Sequence, residues 1–184
     1  MKTLTLLRHA KSGMGEPGQR DFDRTLNEKG QRAAAAMGRY WRGLDARFDA
    51  VIASPAQRVI DTIEHFQRGF GPLPAVAYDK RAYLASAPGL VELIHGAADA
   101  HDRLLIVAHN PGLEDLVLDL VPDRADAAVA GRLRDDVEEK FPTGSAAELH
   151  FAIERWRDVA ENGATLERFV RPRDLDPSLG PDAY

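Results

Sequence analysis

The sequence predicts an α/β protein in which helices cover both faces of a mostly parallel central sheet, giving a three-layer α/β/α sandwich. Short apolar runs of β-type composition alternate along the chain with segments that carry helix-start signals or helical spacing. The run Arg103–Ala108 is apolar after its first residue, which is typical of a strand buried on both faces. A β-α-β-α order connects parallel strands through helical crossovers, and these crossovers lie on the faces of the sheet.

The chain begins with a predicted strand, a loop and a long helix. Residues Leu4–Leu7 are the strand, and the glycine-rich residues Gly13–Arg20 are the loop. Thr25 and Glu28 have the spacing of a capping box, in which the threonine caps free amides while the glutamate reaches back. The alanine-rich helix that follows is predicted to end near Leu44.

A second strand and helix come next. Residues Ala50–Ala53 are the predicted strand. Ser54 is a favourable N-cap and Pro55 suits the first helical position, so a helix is predicted from there to about Phe66. Residues Ala75–Tyr78 are a third predicted strand.

The second half repeats the alternation and then adds two late strands. Pro88 opens a predicted helix, and a further helix over Leu113–Val121 follows the strand Arg103–Ala108. Residues Ala146–Ile153 and Thr165–Val170 are the late strands.

We expect a single domain over residues 1–173 and a loose C-terminal tail over residues 174–184. At roughly 100–200 residues per domain, a chain of 184 residues corresponds to one domain. The last eleven residues contain three acids and two prolines, which favours a tail without regular structure.

Composition excludes several classes of function. The chain has 24 Lys and Arg against 29 Asp and Glu, a net charge of −5, so nucleic acid is not an expected partner. The absence of cysteine excludes disulfides, thiolate zinc sites and a cysteine nucleophile. Apolar runs are too short to span a bilayer, and charged residues interrupt the N-terminal run before a signal peptide can form. We therefore expect a cytoplasmic protein with no membrane partner.

Three segments place polar residues directly after predicted strands. Arg8 and His9 end the first strand, Arg58 lies one turn into the helix after the second, and His109 and Asn110 follow the buried strand. Ligands of open α/β sheets bind outside the carboxyl ends of the strands, so these side chains are expected at one rim.

This set of side chains suits a dianionic phosphate. Arginines and helix N-terminal amides bind phosphate oxygens, and a neutral histidine can attack phosphorus to give a covalent intermediate. Two guanidiniums can neutralise the equatorial oxygens without a metal.

The same residues carry a resemblance to a known family. Leu7-Arg8-His9-Ala10-Lys11-Ser12 resembles the arginine-histidine signature of the histidine phosphatase (phosphoglycerate-mutase-like) superfamily, in a form similar to its SixA-type phosphohistidine phosphatases. Ser54-Pro55-x-x-Arg58 resembles the second motif of the family, and His109-Asn110-Pro111-Gly112-Leu113-Glu114 resembles the third. Phe141-Pro142-Thr143-Gly144 and Arg171-Pro172-Arg173 resemble the ending of SixA-type chains. The resemblance implies a phosphoglycerate-mutase-like fold and no metal or cofactor.

Carried over residue by residue, the resemblance makes His9 the phosphorylated nucleophile. It assigns the phosphate pocket to Arg8, Arg58 and His109, with Asn110 contributing its backbone amide. Two readings stay open for some of these residues. Lys11 and Ser12 are either phosphate contacts or part of a solvated loop, and the arginines have alternative structural ion-pair partners in Asp21, Asp23 and Asp61.

Many superfamily members use a carboxylic acid to protonate the leaving group, and no clear equivalent is present here. Asp79, Glu92 and Glu114 are the candidates. A phosphohistidine substrate can react without such an acid, because its leaving group is neutral imidazole, whose conjugate acid has a pKa of about 6.5. The alkoxide that leaves from a phosphate ester is far more basic and benefits much more from a placed acid.

The resemblance and the missing acid together favour one reaction. The predicted substrate is phosphohistidine on a signalling or phosphotransfer protein, with inorganic phosphate as product. The alternatives are a phosphatase of small phosphate esters and a non-catalytic phosphate-binding module. Because no long insertion caps the strand ends, we expect a shallow pocket that is open to a protein surface.

Overall fold

The computed structural model of the protein describes residues 1–123 and 128–181 and has a six-stranded central sheet. The strands, in chain order, are β1 (Lys2–Arg8), β2 (Ala50–Ala53), β3 (Val76–Tyr78), β4 (Arg103–Ala108), β5 (Ala146–Phe151) and β6 (Ala164–Val170). Their spatial order is β3-β2-β4-β1-β5-β6. The pairs among the first four strands are parallel, whereas β5 pairs antiparallel with both β1 and β6. The predicted mostly parallel sheet is thus confirmed.

Helices cover both faces of this sheet. They are α1 (Glu28–Gly43), α2 (Gln57–Phe70), α3 (Ala87–His95), α4 (Gly112–Leu120), α5 (Ala128–Glu139) and α6 (Pro172–Leu175). Side chains alternate across the strands, so Leu7 packs in the same core as α1 and α2, while Leu6 packs in the core of α3 and α4. The three-layer α/β/α sandwich is therefore confirmed. No described helix is long and apolar enough to cross a membrane.

Helices α1 and α2 pack unusually closely because glycines face the partner backbone. A Cβ on Gly38 would collide with the carbonyl oxygen of Phe66, and one on Gly69 would collide with that of Ala35. This contact holds α2, and with it the arginine in its first turn, against the sheet.

The helix starts differ from the predicted ones. Asn27 caps α1 by accepting from the Gly30 amide at 2.8 Å, whereas the Thr25 carbonyl accepts from the Gly13 amide within the preceding loop. Helix α2 begins after Ala56 and continues to Phe70, past the predicted end. Both predictions depended on local capping signals that other hydrogen bonds of the loops override.

The predicted loose tail is folded as far as the structure describes it. Helix α6 is followed by a 3-10 turn over Pro177–Leu179, and the side chain of Leu179 is buried. The Asp174 carboxylate accepts from the backbone and side chain of Arg171 at 2.9 and 3.0 Å. Acids and prolines here cap and start short helices instead of preventing structure. Residues 182–184 of the predicted tail lie outside the described residues.

Candidate active site

Three strand ends meet at one rim of the sheet, as predicted. Arg8 is the last residue of β1, and the His9 amide extends the pairing by donating to the Ala108 carbonyl at 3.1 Å. His109 follows β4, and its ring centroid lies 5.2 Å from that of His9. Arg58 enters from the first turn of α2 and is buried beside both rings.

The Arg58 guanidinium bridges the two histidines. Its Nε donates to His9 Nε2 at 3.3 Å, and a terminal nitrogen lies 3.3 Å from His109 Nδ1. A phosphoryl group placed between the histidines would therefore meet this fork of donors at once.

His9 is held as a neutral imidazole whose unprotonated nitrogen accepts from Arg58. Its Nδ1 lies 2.8 Å from the Ala10 carbonyl oxygen, which can only accept, so Nδ1 carries the proton. The unprotonated nitrogen is consequently Nε2. Burial, together with the neighbouring His109 and the positive charges of Arg58 and Arg8, lowers the pKa of His9 to about 3. At neutral pH the imidazole is free to act as a nucleophile.

His109 is also neutral, and it is oriented by Ser54, whose sequence context predicts a helix cap instead. Its Nε2 lies 2.7 Å from the Ser54 hydroxyl, which is fully buried. Burial, followed by the charge of Arg58, lowers the pKa of His109 to about 4. Ser54 directly follows β2 in the predicted second motif, and this position at a strand end was the signal that could have identified it.

Arg8 is anchored but incompletely satisfied. One terminal nitrogen donates to the Phe141 carbonyl at 2.7 Å. Its Nε is buried and has no hydrogen-bond partner among the described residues. A buried donor without a partner costs free energy, so a bound anion beside it would satisfy the group.

The predicted alternative role of Arg58 as an ion-pair partner is also present. Its terminal nitrogens donate to the Asp21 carbonyl at 2.7 Å and to the Asp21 carboxylate at 3.0 Å. The same carboxylate accepts from the Tyr83 hydroxyl at 2.8 Å, and these hydrogen bonds lower the pKa of Asp21 to about 2. Tyr83 also packs edge-on against His109, a contact for which the sequence offered no signal. Asp23 and Asp61 instead bond Arg20 and Gln57.

A cavity of about 580 Å³ opens in front of His9. Its lining comprises Arg8, His9, Lys11, Ser12, Arg24, Lys29, Ala33, Arg58, Lys140, Pro142, Thr143, Arg171, Pro172, Arg173, Leu179, Gly180 and Pro181. Arg171–Arg173 and Leu179–Pro181 form one wall of this cavity, which the sequence did not predict. The chain needs no insertion to build this wall, since the C-terminal segment returns to the site.

The remaining predicted substrate contacts divide into two groups. Lys11 and Ser12 line the cavity, and the Ser12 hydroxyl accepts from Arg24 at 2.8 Å. Asn110 does not line it, and its side-chain amide donates to the Glu114 carboxylate and the Phe141 carbonyl, both at 3.1 Å. In this structure Asn110 braces the backbone next to Arg8.

None of the candidate acids lines the cavity. Asp79 forms a bidentate ion pair with Arg81, whose hydrogen bonds lower the pKa of the Asp79 carboxyl. Glu92 is exposed on α3, and Glu114 accepts from Asn110 and from the Phe141 amide. Each of these carboxylates is thus placed or engaged elsewhere.

The described residues contain no group of three or more His, Asp or Glu side chains that could hold a metal ion. What the rim offers is a neutral histidine with a directed lone pair, two guanidiniums and a second neutral histidine. These groups suit nucleophilic displacement at a phosphoryl centre, with the charge of the transferred group neutralised by arginine.

Comparison with known proteins gives matches over most of the chain. The model of the histidine phosphatase superfamily (branch 1) matches residues 4–82. An uncharacterized protein of Mycobacterium tuberculosis is 36% identical over 168 residues, covering 91% of this chain and 100% of that relative. A Nakamurella multipartitia structure assigned as phosphohistidine phosphatase SixA has a TM-score of 0.79 at 29% identity, covering 93% of this chain and 96% of the other. An Agrobacterium tumefaciens structure with the same assignment has a TM-score of 0.74 at 28% identity, covering 93% and 98%.

Proposed function

This chain belongs to the histidine phosphatase superfamily, and from that membership we propose that it removes phosphate from phosphohistidine on a protein, through a phosphorylated His9 intermediate and without a metal. The observation that carries the proposal is the unprotonated Nε2 of His9 beside the Arg58 guanidinium, at a cavity that the described residues line with arginine and lysine and with no carboxylate. Membership in the superfamily supports a phosphatase. The phosphohistidine substrate is the more specific part of the proposal.

In the first step, His9 Nε2 attacks phosphorus while the bond from phosphorus to the substrate imidazole breaks in line. The imidazole departs neutral with its proton on the other ring nitrogen, so no proton has to be supplied at the leaving atom. Arg8 and Arg58 hold the equatorial oxygens. The Ala10 carbonyl, already accepting from His9 Nδ1, stabilises the positive charge that phosphorylation places on the ring.

In the second step, water attacks phosphorus in the phosphorylated enzyme, and inorganic phosphate leaves while His9 returns to its neutral form. In this structure His109 Nδ1 accepts from the Arg58 guanidinium, so Nε2 carries the proton and donates to the Ser54 hydroxyl at 2.7 Å. When Arg58 turns to the phosphoryl group, the other tautomer becomes available, in which the Ser54 hydroxyl donates to Nε2 and Nδ1 donates to a phosphoryl oxygen. Arg58, which lies at His109 Nδ1 in this structure, then donates to the phosphoryl oxygens instead.

The placement of carboxylates favours phosphohistidine over a phosphate ester. Cleavage of a phosphate ester gains from a protonated acid within reach of the leaving oxygen, and no Asp or Glu is among the described residues that line the cavity. Asp21 is the carboxylate held by Arg58, and a pKa of about 2 leaves it without a proton at neutral pH. Two solved structures assigned as phosphohistidine phosphatases, which this chain matches over nearly their whole length, support the same substrate.

The test compares a phosphohistidine-bearing protein with an aryl phosphate, in the presence of a chelator, for wild type and His9→Ala. We expect preference for phosphohistidine and a loss of about a thousandfold or more in the variant, because the nucleophile is removed. Binding of inorganic phosphate should survive the substitution, since the guanidiniums remain.

Other outcomes would overturn particular parts of the proposal. Substantial turnover by His9→Ala excludes the covalent intermediate. Good turnover of the ester with little on phosphohistidine makes the chain a phosphatase of small esters. Phosphate binding without turnover of either compound indicates a non-catalytic phosphate-binding module.

A further inference from the structure

We propose that a cationic wall of the cavity, formed by Lys140, Arg171 and Arg173, binds acidic residues that flank the phosphohistidine on the substrate protein. This inference rests on the proposed function and adds a determinant of substrate choice to it. A phosphoryl group by itself is neutralised by Arg8 and Arg58, so the wall would serve a second anionic group.

The wall is fixed to the backbone of the nucleophile. Lys140 directly precedes Phe141, whose carbonyl accepts from Arg8 at 2.7 Å. The amide of Gly144 donates to the His9 carbonyl at 2.9 Å.

The C-terminal side of the wall packs onto the same turn. Gly144 has a φ of +78°, and a Cβ there would lie 3.0 Å from Pro172 Cγ. Arg173 is the next residue after Pro172, and both residues line the cavity. These cations therefore line the same cavity as His9.

The lining carries a strong excess of positive charge. Among residues 1–123 and 128–181, eight Lys and Arg side chains and no Asp or Glu line it, in a chain whose net charge is −5. Clefts lined by one sign of charge focus the electrostatic field and attract ligands of the opposite sign. The distribution therefore favours an acidic substrate surface.

Ion pairs with nearby carboxylates account for only part of this charge. Asp21 pairs with Arg24 and Arg58, while Asp136 and Asp174 lie 3.2 and 3.0 Å from Arg171.

Lys140 and Arg173 differ from these arginines. Their side chains are exposed and form no ion pair or side-chain hydrogen bond within residues 1–123 and 128–181. They are therefore available to an incoming carboxylate. Arg171 also lines the cavity, and Asp136 and Asp174 neutralise part of its charge.

The size of the cavity suits more than a phosphoryl group. A volume of about 580 Å³ falls within the range of roughly 300–1,000 Å³ that holds whole small molecules. There is room for the phosphorylated imidazole and for side chains next to it in sequence.

The experiment measures kcat/KM for three phosphohistidine peptides that differ only in flanking residues, which are Asp, Asn or Lys. We expect the Asp peptide to exceed the Asn peptide by about fivefold to tenfold, and the Lys peptide to be poorer than both. In the double variant Lys140→Gln/Arg173→Gln this ratio should fall to about one. Arg157→Gln removes an exposed charge outside the cavity and should keep the wild-type ratio. Equal values for Asp and Asn peptides with the wild-type protein would overturn the inference.

A binding measurement separates this inference from the proposed function. Calorimetry with inorganic tripolyphosphate and orthophosphate should give at least about fivefold tighter binding of tripolyphosphate, an advantage that the double variant loses. If no peptide is turned over but this advantage is present, the phosphohistidine assignment fails while the anion site stands. Equal affinities for the two anions exclude the second site whatever the substrate is.

Discussion

Acidification should destabilise this protein through its two buried active-site histidines. The perturbation is a change from about pH 7.5 to about pH 5.0, applied to wild type and to the His9→Asn variant. In the folded protein His9 and His109 are neutral and desolvated, whereas in the unfolded chain both take up a proton as the pH falls.

The magnitude follows from the pKa values. The unfolded-state pKa is 6.5, and the folded values are about 3 for His9 and about 4 for His109. Because folding lowers both pKa values, the contribution of the two histidines to the free energy of unfolding is fully present above pH 6.5 and is lost as the pH falls below it. A pH of about 5.0 lies about 1.5 pH units below the unfolded-state pKa, and each pH unit costs 1.36 kcal/mol per histidine. Each histidine therefore lowers the free energy of unfolding by about 2 kcal/mol, and the pair lowers it by about 4 kcal/mol.

The assay is urea unfolding at the two pH values, which yields the free energy of unfolding of each protein. Wild type should lose about 2 kcal/mol more than His9→Asn, because the variant lacks one of the two proton-uptake sites. Arg157→Gln changes an exposed side chain outside the cavity lining and removes no histidine, so this control should lose as much as wild type. Equal losses for wild type and His9→Asn would refute the assignment of His9 as a buried neutral imidazole.

Three further substitutions test the site and its support. Ser54→Ala should lower kcat/KM by about tenfold, because a buried nitrogen of His109 loses its partner, whose net worth is about 1–3 kcal/mol; unchanged steady-state kinetics would exclude a positioning role. Arg58→Lys keeps the charge but not the fork that reaches both histidines, so phosphate affinity by calorimetry and kcat should each fall by at least about tenfold; wild-type values would mean that charge alone suffices. Gly144→Ala should reduce the free energy of unfolding by about 1–2 kcal/mol, whereas Gly13→Ala, with open space around it, should be close to neutral in the same urea titration.

Local signals in the sequence were sufficient where burial and strand order decide the structure. The apolar run Arg103–Ala108 became the central strand β4, and the polar residues after β1, β2 and β4 met at one rim. Capping signals were less reliable. Thr25 and Ser54 have the chemistry of N-caps, but Asn27 caps α1, and the Ser54 hydroxyl bonds His109 from the neighbouring strand.

Hydrophobic period and strand-end position are local properties of a chain, and they were sufficient to predict the layered α/β fold and the meeting of Arg8, His9, Arg58 and His109 at one rim. The protonation of His9 depends on tertiary structure. The packed loop places the Ala10 carbonyl at Nδ1, which leaves Nε2 unprotonated, and it buries the ring, which lowers the pKa of His9. Tertiary structure also decided that the C-terminal residues wall the cavity. Their acids and prolines resemble a solvated tail, but Pro172 packs beside Gly144 and the segment lines the cavity of the nucleophile. Such contacts join residues far apart in the chain, and neither composition nor local periodicity records them.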